Sequence, residues 1–216
     1  MMTLKLYYHP LSSFCHKVLV ALYENATPFE PVMVDFFNEE SAAQFKALWP
    51  IGKIPVLRDE KRDRTVPETS IIIEYLAQHY PGRVNLVSSD ADMARQIRLR
   101  DRFYDLYVNV PMQKVVTDRL RPEGKSDSFG VEEAKNVLRT AYDMIDKDMA
   151  DREWAMGKDF TMADCAATGS LFYANSQVPF RDTHKHVASY LDRLLARPSY
   201  ARVMKEAEPY FHMVPK

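Results

Sequence analysis

Glycine and cysteine are both scarce in this sequence, with 6 and 2 copies in 216 residues. None of the glycines falls into the G-x-G-x-x-G or Walker spacing whose backbone amides hold nucleotide phosphates, which argues against dinucleotide and triphosphate chemistry. Cys15 and Cys165 are too few for a disulfide framework, and no paired-histidine motif accompanies them for structural zinc. We therefore expect a cytoplasmic protein without a metal.

Long apolar runs and a net charge of one sign are missing as well. No stretch approaches the roughly 18 consecutive apolar residues of a membrane span, and residues 1–10 lack the basic-then-apolar pattern of a signal peptide. The 29 lysines and arginines nearly cancel the 30 aspartates and glutamates, so no positive field exists to attract nucleic acid or an anionic membrane at long range. We expect neither nucleic acid nor a membrane as a partner.

What is present is the composition of a compact globular protein. Apolar residues make up 46% of the chain, charged residues 27% and aromatic residues 12%. This balance is far from that of disordered or fibrous chains. The length allows one large domain or two modest ones.

The hydrophobic pattern changes character along the chain. The first eighty residues alternate short extended runs with helical periods in the order β-α-β-(α)-β-β-α, with strands predicted at residues 4–8, 29–35, 55–58 and 64–66. Later residues show the helical period alone, with a long run through residues 95–107 and further helices at 131–149, 162–176, 186–196 and 198–206. We therefore predict an α/β domain at residues 1–80, a linker at 81–92 and an all-α domain at 93–216.

Three short motifs of the first domain carry polar groups where chemistry could occur. Ser12-Ser13-Phe14-Cys15 lies where the first strand passes into the first helix, and the free N–H groups there stabilise negative charge. Ile54-Pro55 follows a turn and precedes a short strand. Glu68-Thr69-Ser70 opens a helix whose first N–H groups could hold a carboxylate. Each motif alone has a simpler interpretation, helix capping for the serines and for residues 68–70 and a structural turn for the proline.

The first domain resembles the thioredoxin-like domain of cytosolic glutathione transferases of the serine/cysteine, bacterial-like type. The resemblance depends on three motifs that occur together and in this order: S-S-F-C-H-K-V, P-I-G-K-I-P-V-L and E-T-S-I-I-I-E-Y-L. F-T-M-A-D-C-A at residues 160–166 resembles part of that family's helical domain, where Thr161 and Asp164 would form a capping box. The resemblance covers essentially the whole chain. It implies a thioredoxin-like domain, a helical-bundle domain, glutathione as co-substrate without a metal, a small apolar electrophile, a role in detoxification and a homodimer.

The resemblance also implies which side chain meets the sulfur of glutathione. Ser12 takes the place of the catalytic residue, with Tyr8 as the second candidate because it matches the position used by tyrosine-type members. A neutral hydroxyl is too weak a base to deprotonate a thiol. Its physical role is therefore a hydrogen bond that lowers the pKa of the bound thiol. Cys15 is the third group near this position, and we expect it to be packed and unreactive.

Five further residues would bind the tripeptide by the same resemblance. The backbone of Ile54, before a cis Pro55, would pair with the cysteinyl part of glutathione. Glu68 would face the γ-glutamyl ammonium and Thr69 its carboxylate. Lys53 would reach the glycyl carboxylate.

Two alternatives to a transferase follow from the same motifs. A glutathione-dependent isomerase of the zeta type, such as maleylacetoacetate isomerase, has the pattern S-S-C-x-W-R, which Phe14 and His16 break. A non-catalytic binding module with this fold is the other alternative, and the retained Ser12, Ile54-Pro55 and Glu68-Thr69 argue against it. The sequence also departs from the family at Trp49, where asparagine is common.

Overall fold

The structure is a computed structural model that describes residues 3–214. Residues 1–2 and 215–216, the outer ends of the two predicted domains, lie outside the described residues. The first part of the chain contains four strands: β1 Leu4–Tyr8, β2 Glu30–Met33, β3 Val56–Asp59 and β4 Arg64–Pro67. Its helices are α1 Ser13–Glu24, α2 Glu39–Leu48 and α3 Thr69–His79. The predicted order of strands and helices is confirmed.

The four strands form one mixed sheet in the order β2-β1-β3-β4. β1 runs parallel to β2 and antiparallel to β3, and β3 runs antiparallel to β4. A parallel pair needs a crossover connection, which α1 supplies. This is the predicted thioredoxin-like α/β domain. β2 is shorter than the predicted strand at 29–35, because the side chain of Asp35 accepts a hydrogen bond from the Phe37 N–H at 2.9 Å and turns the chain toward α2.

Residues 91–213 form helices joined by loops, as predicted for the second domain. They are α4 Ala91–Phe103, a π-helical turn Tyr104–Asn109, α5 Val110–Asp118, α6 Ser128–Asp148, α7 Met162–Gln177, α8 Lys185–Ala196, α9 Pro198–Ala207 and a 3-10 segment Glu208–Met213. Residues 80–90 lie between α3 and α4, so the linker predicted at 81–92 extends two residues into α4. The π turn interrupts the predicted helical run just before Pro111, whose ring nitrogen cannot donate the hydrogen bond that an α-helix requires there.

One hydrophobic core runs through both domains. It joins Val18 of α1 and Ile72 of α3 to Leu171 of α7, all fully buried. The crossing of α1 and α7 is close, because a Cβ added at Gly169 would lie 2.7 Å from the Ser13 carbonyl oxygen. The second domain therefore fixes the position of the N-terminal end of α1.

The capping box predicted at the start of α7 is present. Asp164 accepts hydrogen bonds from the N–H groups of Thr161 at 2.8 Å and Ala155 at 2.7 Å, and from the Tyr190 hydroxyl at 2.6 Å. The F-T-M-A-D-C-A motif thus has the folding role that the capping box predicts, and Cys165 is fully buried beside it.

A smaller cluster of Val34, Phe45 and Val56 holds α2 against the sheet. Trp49 and Ile54 pack on this cluster with part of their side chains exposed. The cluster therefore fixes the segment between α2 and β3, which forms one wall of the cleft described next.

Candidate active site

The five residues predicted to bind the tripeptide line a single cavity of about 250 Å³. They are Lys53, Ile54, Pro55, Glu68 and Thr69. The Ile54–Pro55 peptide bond is cis, as the resemblance implies. We call this cavity the cleft; it lies between the start of β3, the start of α3 and the second domain.

Six other residues also line the cleft, and the sequence motifs did not predict that any of them would bind the tripeptide. Phe14 comes from the first turn of α1 and Trp49 from the end of α2. The second domain adds residues from the end of α4, the π turn and the start of α5: Arg102, Asp105, Leu106 and Val110.

No N-cap side chain caps the start of α3, so the simple capping interpretation is wrong there. Glu68 is the N-cap residue but makes no side-chain capping hydrogen bond, and its φ of 68° lies in the left-handed region. Ser70 donates instead to the Asp101 carboxylate at 2.5 Å. The first N–H groups of α3 therefore have no side-chain cap, and a strained residue at such a helix start is a feature of ligand sites.

The opening of α1 confirms the capping interpretation for Ser12. Its side-chain oxygen accepts a hydrogen bond from the Cys15 N–H at 3.3 Å. The next residue, Ser13, is buried and donates to the side-chain oxygen of Asn109 in the π turn at 2.7 Å. The π turn thus anchors the first turn of α1 as well as lining the cleft.

Ser12 lies on a second cavity of about 310 Å³, which we call the Ser12 cavity. Its walls are largely apolar and come from the first turn of α1, from α5 and from the C-terminal segment, with Leu11, Met112, Val116, Met213 and Val214 among them. The cleft and the Ser12 cavity share no lining residue, but the first turn of α1 contributes Phe14 to the cleft and Ser13 to the Ser12 cavity.

The other two candidates near the sulfur position are less accessible. Tyr8 is half-buried and lines neither cavity. Burial is the main cause that raises the pKa of its hydroxyl, and the negative charge of nearby Glu206 raises that pKa further. Cys15 is fully buried, and burial raises the pKa of its thiol to about 12. The structure therefore supports the prediction that Cys15 is a packed thiol.

A buried ionic cluster lies behind the cleft. The Lys17 ammonium is 2.7 Å from an oxygen of Asp101, 2.8 Å from one of Asp105 and 3.0 Å from the Ser70 hydroxyl. Burial raises the pKa of Asp105, while Lys17 opposes that shift. This cluster ties α1, α3, α4 and the π turn together beneath the site.

The sequence did carry one signal for this cluster. Asp101 and Asp105 are four residues apart within a predicted helical run, and like charges at that spacing repel each other unless a cation lies between them. Lys17 stands among apolar residues on the predicted first helix. Nothing in the sequence connected the lysine to the two aspartates, because the contact depends on how the domains pack.

Residues 3–214 contain neither a candidate metal cluster nor a membrane-spanning helix. No group of three or more histidine, cysteine, aspartate or glutamate side chains in that range could hold a metal ion. None of the helices found there is both long and apolar enough to cross a bilayer.

A thioredoxin-like domain with a cis-proline cleft facing a helical second domain defines a class of two-domain α/β plus all-α proteins. The chain belongs to the glutathione S-transferase family. The family model described as "Glutathione S-transferase, N-terminal domain" matches residues 6–84, and the one described as "Glutathione S-transferase, C-terminal domain" matches residues 103–198. Membership supports glutathione transferase activity in general.

Individual relatives are similar over nearly the whole chain. The sequence is 29% identical over 213 residues to glutathione S-transferase 3 of Zea mays, covering 94% of each chain. It is 27% identical over 212 residues to the FtsZ-localized protein A of Caulobacter vibrioides, covering 94% of this chain and 92% of that one. The crystal structure of a glutathione S-transferase from Methylobacillus flagellatus with GSH bound has a TM-score of 0.84 and 25% identity, covering 93% of this chain and 98% of that one.

Proposed function

We propose that this protein conjugates the thiolate of glutathione to small apolar electrophiles, with Ser12 as the residue that stabilises the sulfur. One observation carries the proposal. The cis Ile54–Pro55 bond, Glu68 and Thr69 meet in one cleft, and Phe14 of the first turn of α1 forms part of its wall. A tripeptide held there would place its sulfur beside the N-terminal end of α1.

Each wall of the cleft offers a group that matches one part of the tripeptide. Ile54 lies just before β3, where its backbone can pair with the cysteinyl residue. Thr69 and the uncapped N–H groups of α3 suit the γ-glutamyl carboxylate, and Glu68 suits its ammonium. Lys53 suits the glycyl carboxylate.

Capping and sulfur binding are compatible tasks for Ser12. A serine hydroxyl has one hydrogen to donate and two lone pairs to accept with. The Cys15 N–H uses one lone pair, so the O–H hydrogen is left for the glutathione sulfur. A donor aimed at the sulfur, together with the helix N-terminus, favours the thiolate and so lowers the pKa of the bound thiol.

The electrophile would bind in the Ser12 cavity. Its volume of about 310 Å³ and its apolar walls suit a small apolar molecule. Met112 of α5 lines this cavity and also belongs to the buried core.

By family resemblance we also propose a cytoplasmic, detoxifying homodimer. Tyr107, Val137 and Met144 line an apolar groove on the second domain and are 51%, 40% and 49% exposed. Such a groove suits a second copy of the chain. Sedimentation velocity should give the mass of a dimer, and a monomer at all concentrations would contradict this part of the proposal.

Turnover of a simple aromatic chloride with glutathione tests the chemistry. We expect Ser12→Ala to lower kcat/KM by about 100- to 1,000-fold, the usual effect of losing one donor to a developing anion. Tyr8→Phe is the matched control and should keep most of the activity. Loss in Tyr8→Phe with unchanged turnover in Ser12→Ala would move the assignment to Tyr8.

The same experiment separates the transferase from its alternatives. The comparisons favour neither the zeta-type isomerase nor the non-catalytic binding module. Unmodified protein that binds glutathione without forming a thiolate and without turning over the chloride would support the binding module instead.

A further inference from the structure

Arg102 lines the cleft but has no part in the proposed binding of glutathione. It lies one residue before the end of α4 and is exposed, and its guanidinium is 3.8 Å from a carboxylate oxygen of Asp105. That distance is too long for a hydrogen bond. Within residues 3–214 the Arg102 side chain makes no hydrogen bond, so its N–H donors are free.

The buried ionic cluster holds Arg102 in place without using these donors. Lys17 brings one positive charge to the carboxylates of Asp101 and Asp105, so the ionised cluster keeps one net negative charge. Burial raises the pKa of Asp105, and the charge of Arg102 acts against that shift. The attraction between them keeps the guanidinium at the cleft, and Asp105 is therefore a positioning residue for Arg102.

The proposed place of glutathione leaves Arg102 without an anionic partner. The tripeptide has two carboxylates and one ammonium. The N–H groups at the start of α3 and Thr69 match one carboxylate, Lys53 matches the other, and Glu68 matches the ammonium. Arg102 is therefore a surplus cation, and the anion that pairs with it would have to come from the co-substrate.

The wall of the cleft beside Arg102 is apolar and accessible. Leu106 and Val110 follow Arg102 at intervals of four residues, and all three line the cleft. Leu106 is 42% exposed and Val110 is 47% exposed, so a ligand can contact both directly. Phe14, in the first turn of α1, belongs to the same lining and is partly exposed. An apolar body on this wall would lie beside the turn where the sulfur is proposed to be held.

The Ser12 cavity differs from this wall in its charge. As far as residues 3–214 define its lining, the Ser12 cavity has no charged side chain. Moving a carboxylate into such surroundings without a partner is costly. A neutral electrophile therefore matches the Ser12 cavity, whereas an electrophile with a carboxylate needs the wall that contains Arg102.

We propose that the protein also accepts electrophiles that carry a carboxylate, and that Arg102 is the residue that selects them. This inference rests on the proposed transfer reaction and adds a substrate class to it. The carboxylate would accept two parallel hydrogen bonds from the guanidinium, and the apolar body would lie over Leu106, Val110 and Phe14. For an aryl chloride, the thiolate sulfur forms the bond to carbon and chloride leaves with the electron pair of the broken bond.

Two aryl chlorides of similar shape, one anionic and one neutral, test this directly. 4-Chloro-3,5-dinitrobenzoate carries the carboxylate, and 4-chloro-3,5-dinitrobenzamide is its neutral counterpart. We expect Arg102→Ala to lower the ratio of kcat/KM for the acid to kcat/KM for the amide about tenfold, the effect of losing a charge-assisted hydrogen bond. A ratio taken within each variant cancels the difference in intrinsic reactivity between the two chlorides.

Two further variants serve as controls. Arg102→Lys should keep part of the preference for the acid, because lysine retains the charge but not the paired donors. Arg95→Ala, which removes an exposed arginine of α4 that pairs with Asp92, is the matched control and should leave the ratio unchanged. The KM for glutathione should stay the same in all three variants.

A binding measurement makes the test independent of turnover. 3,5-Dinitrobenzoate lacks the leaving group, and S-methylglutathione fills the place of glutathione without a free thiol. With saturating S-methylglutathione, calorimetry should show about tenfold weaker binding of 3,5-dinitrobenzoate to Arg102→Ala than to the unmodified protein. This measurement remains possible if neither chloride is turned over, so failure of the transfer reaction and failure of this inference are distinguishable.

Three results would overturn the inference. An unchanged ratio of acid to amide in Arg102→Ala would show that the guanidinium does not contact the electrophile. An equal loss for the acid and the amide, with a raised KM for glutathione, would assign Arg102 to the tripeptide instead. Equal affinities of Arg102→Ala and the unmodified protein for 3,5-dinitrobenzoate would contradict the contact with or without turnover.

Discussion

Two cysteines illustrate how burial decides reactivity at the scale of single residues. Cys15 and Cys165 are both fully buried, and burial raises the pKa of each thiol, to about 12 for Cys15. A thiol must be deprotonated and reachable to react. We predict that neither reacts with Ellman's reagent in the native protein at neutral pH, and that both react after unfolding. One fast equivalent in the native state, lost in Cys15→Ala, would contradict the packed role of Cys15.

His16 gives the fold a dependence on pH. It is fully buried between Tyr173 and Tyr200, and its Nε2 carries the hydrogen because its partner at 2.7 Å is the Pro10 carbonyl, which can only accept. Burial lowers its pKa from 6.5 to about 4. Between these values the unfolded chain binds more protons than the native one, so acid favours unfolding.

We therefore predict that His16 makes the free energy of unfolding fall by up to about 3 kcal/mol as the pH drops from 6.5 to 4. Urea unfolding across this range measures the slope. His16→Gln should flatten it, whereas His212→Gln, an exposed histidine, should leave it unchanged. Equal slopes in the wild type and in His16→Gln would show that the imidazole is not buried neutral.

Among the helices, the cluster of Lys17, Asp101 and Asp105 joins three charged groups that are all buried. Lys17→Met would leave two carboxylates buried without their cation. We predict a loss of about 3–5 kcal/mol in the free energy of unfolding, measured by urea titration. Lys5→Met, which breaks an exposed pair with Glu60, is the control and should have little effect.

A second variant separates charge from packing in this cluster. If unpaired charge is the cause, then adding Asp101→Asn and Asp105→Asn to Lys17→Met should recover much of the lost stability. A triple variant no more stable than Lys17→Met would instead assign the loss to packing.

Most elements follow from local pattern, but α5 at Val110–Asp118, the π turn and the start of α3 do not. Helices α6 to α9 and the capping box at Thr161 and Asp164 were predicted because periodicity and capping are local properties. The π turn was missed, since the periodicity of residues 95–107 is the same with or without it. The start of α3 was read as capped, whereas Ser70 is drawn to Asp101, a residue on another helix.

The candidate site shows the same division. Five of the seven first-domain residues that line the cleft were predicted, because motif order identifies them, whereas Phe14 and Trp49 were not. The cleft residues from the second domain, such as Arg102 and Asp105, were not predicted. Their position depends on how the two domains pack, which no local sequence pattern predicts. The separation of Ser12 from the cleft lining is likewise a property of packing alone.

At the scale of the whole molecule, the shared core makes the two domains one cooperative unit. Val18 of the first domain and Leu171 of the second belong to the same buried cluster. Trp49 reports on the first domain and Trp154 on the second. We predict that Trp49→Phe and Trp154→Phe show coincident unfolding by fluorescence and by circular dichroism within each variant. Fluorescence that changes at a lower urea concentration than the dichroism in either variant would indicate separate unfolding.

The central claim is that the molecule holds the sulfur of glutathione as an anion beside Ser12. A pH titration of the ultraviolet thiolate absorbance of bound glutathione measures this directly. The account predicts a thiol pKa well below that of free glutathione in the unmodified protein and in Tyr8→Phe, and a pKa close to the free value in Ser12→Ala. A bound thiol with the pKa of free glutathione in the unmodified protein would contradict it.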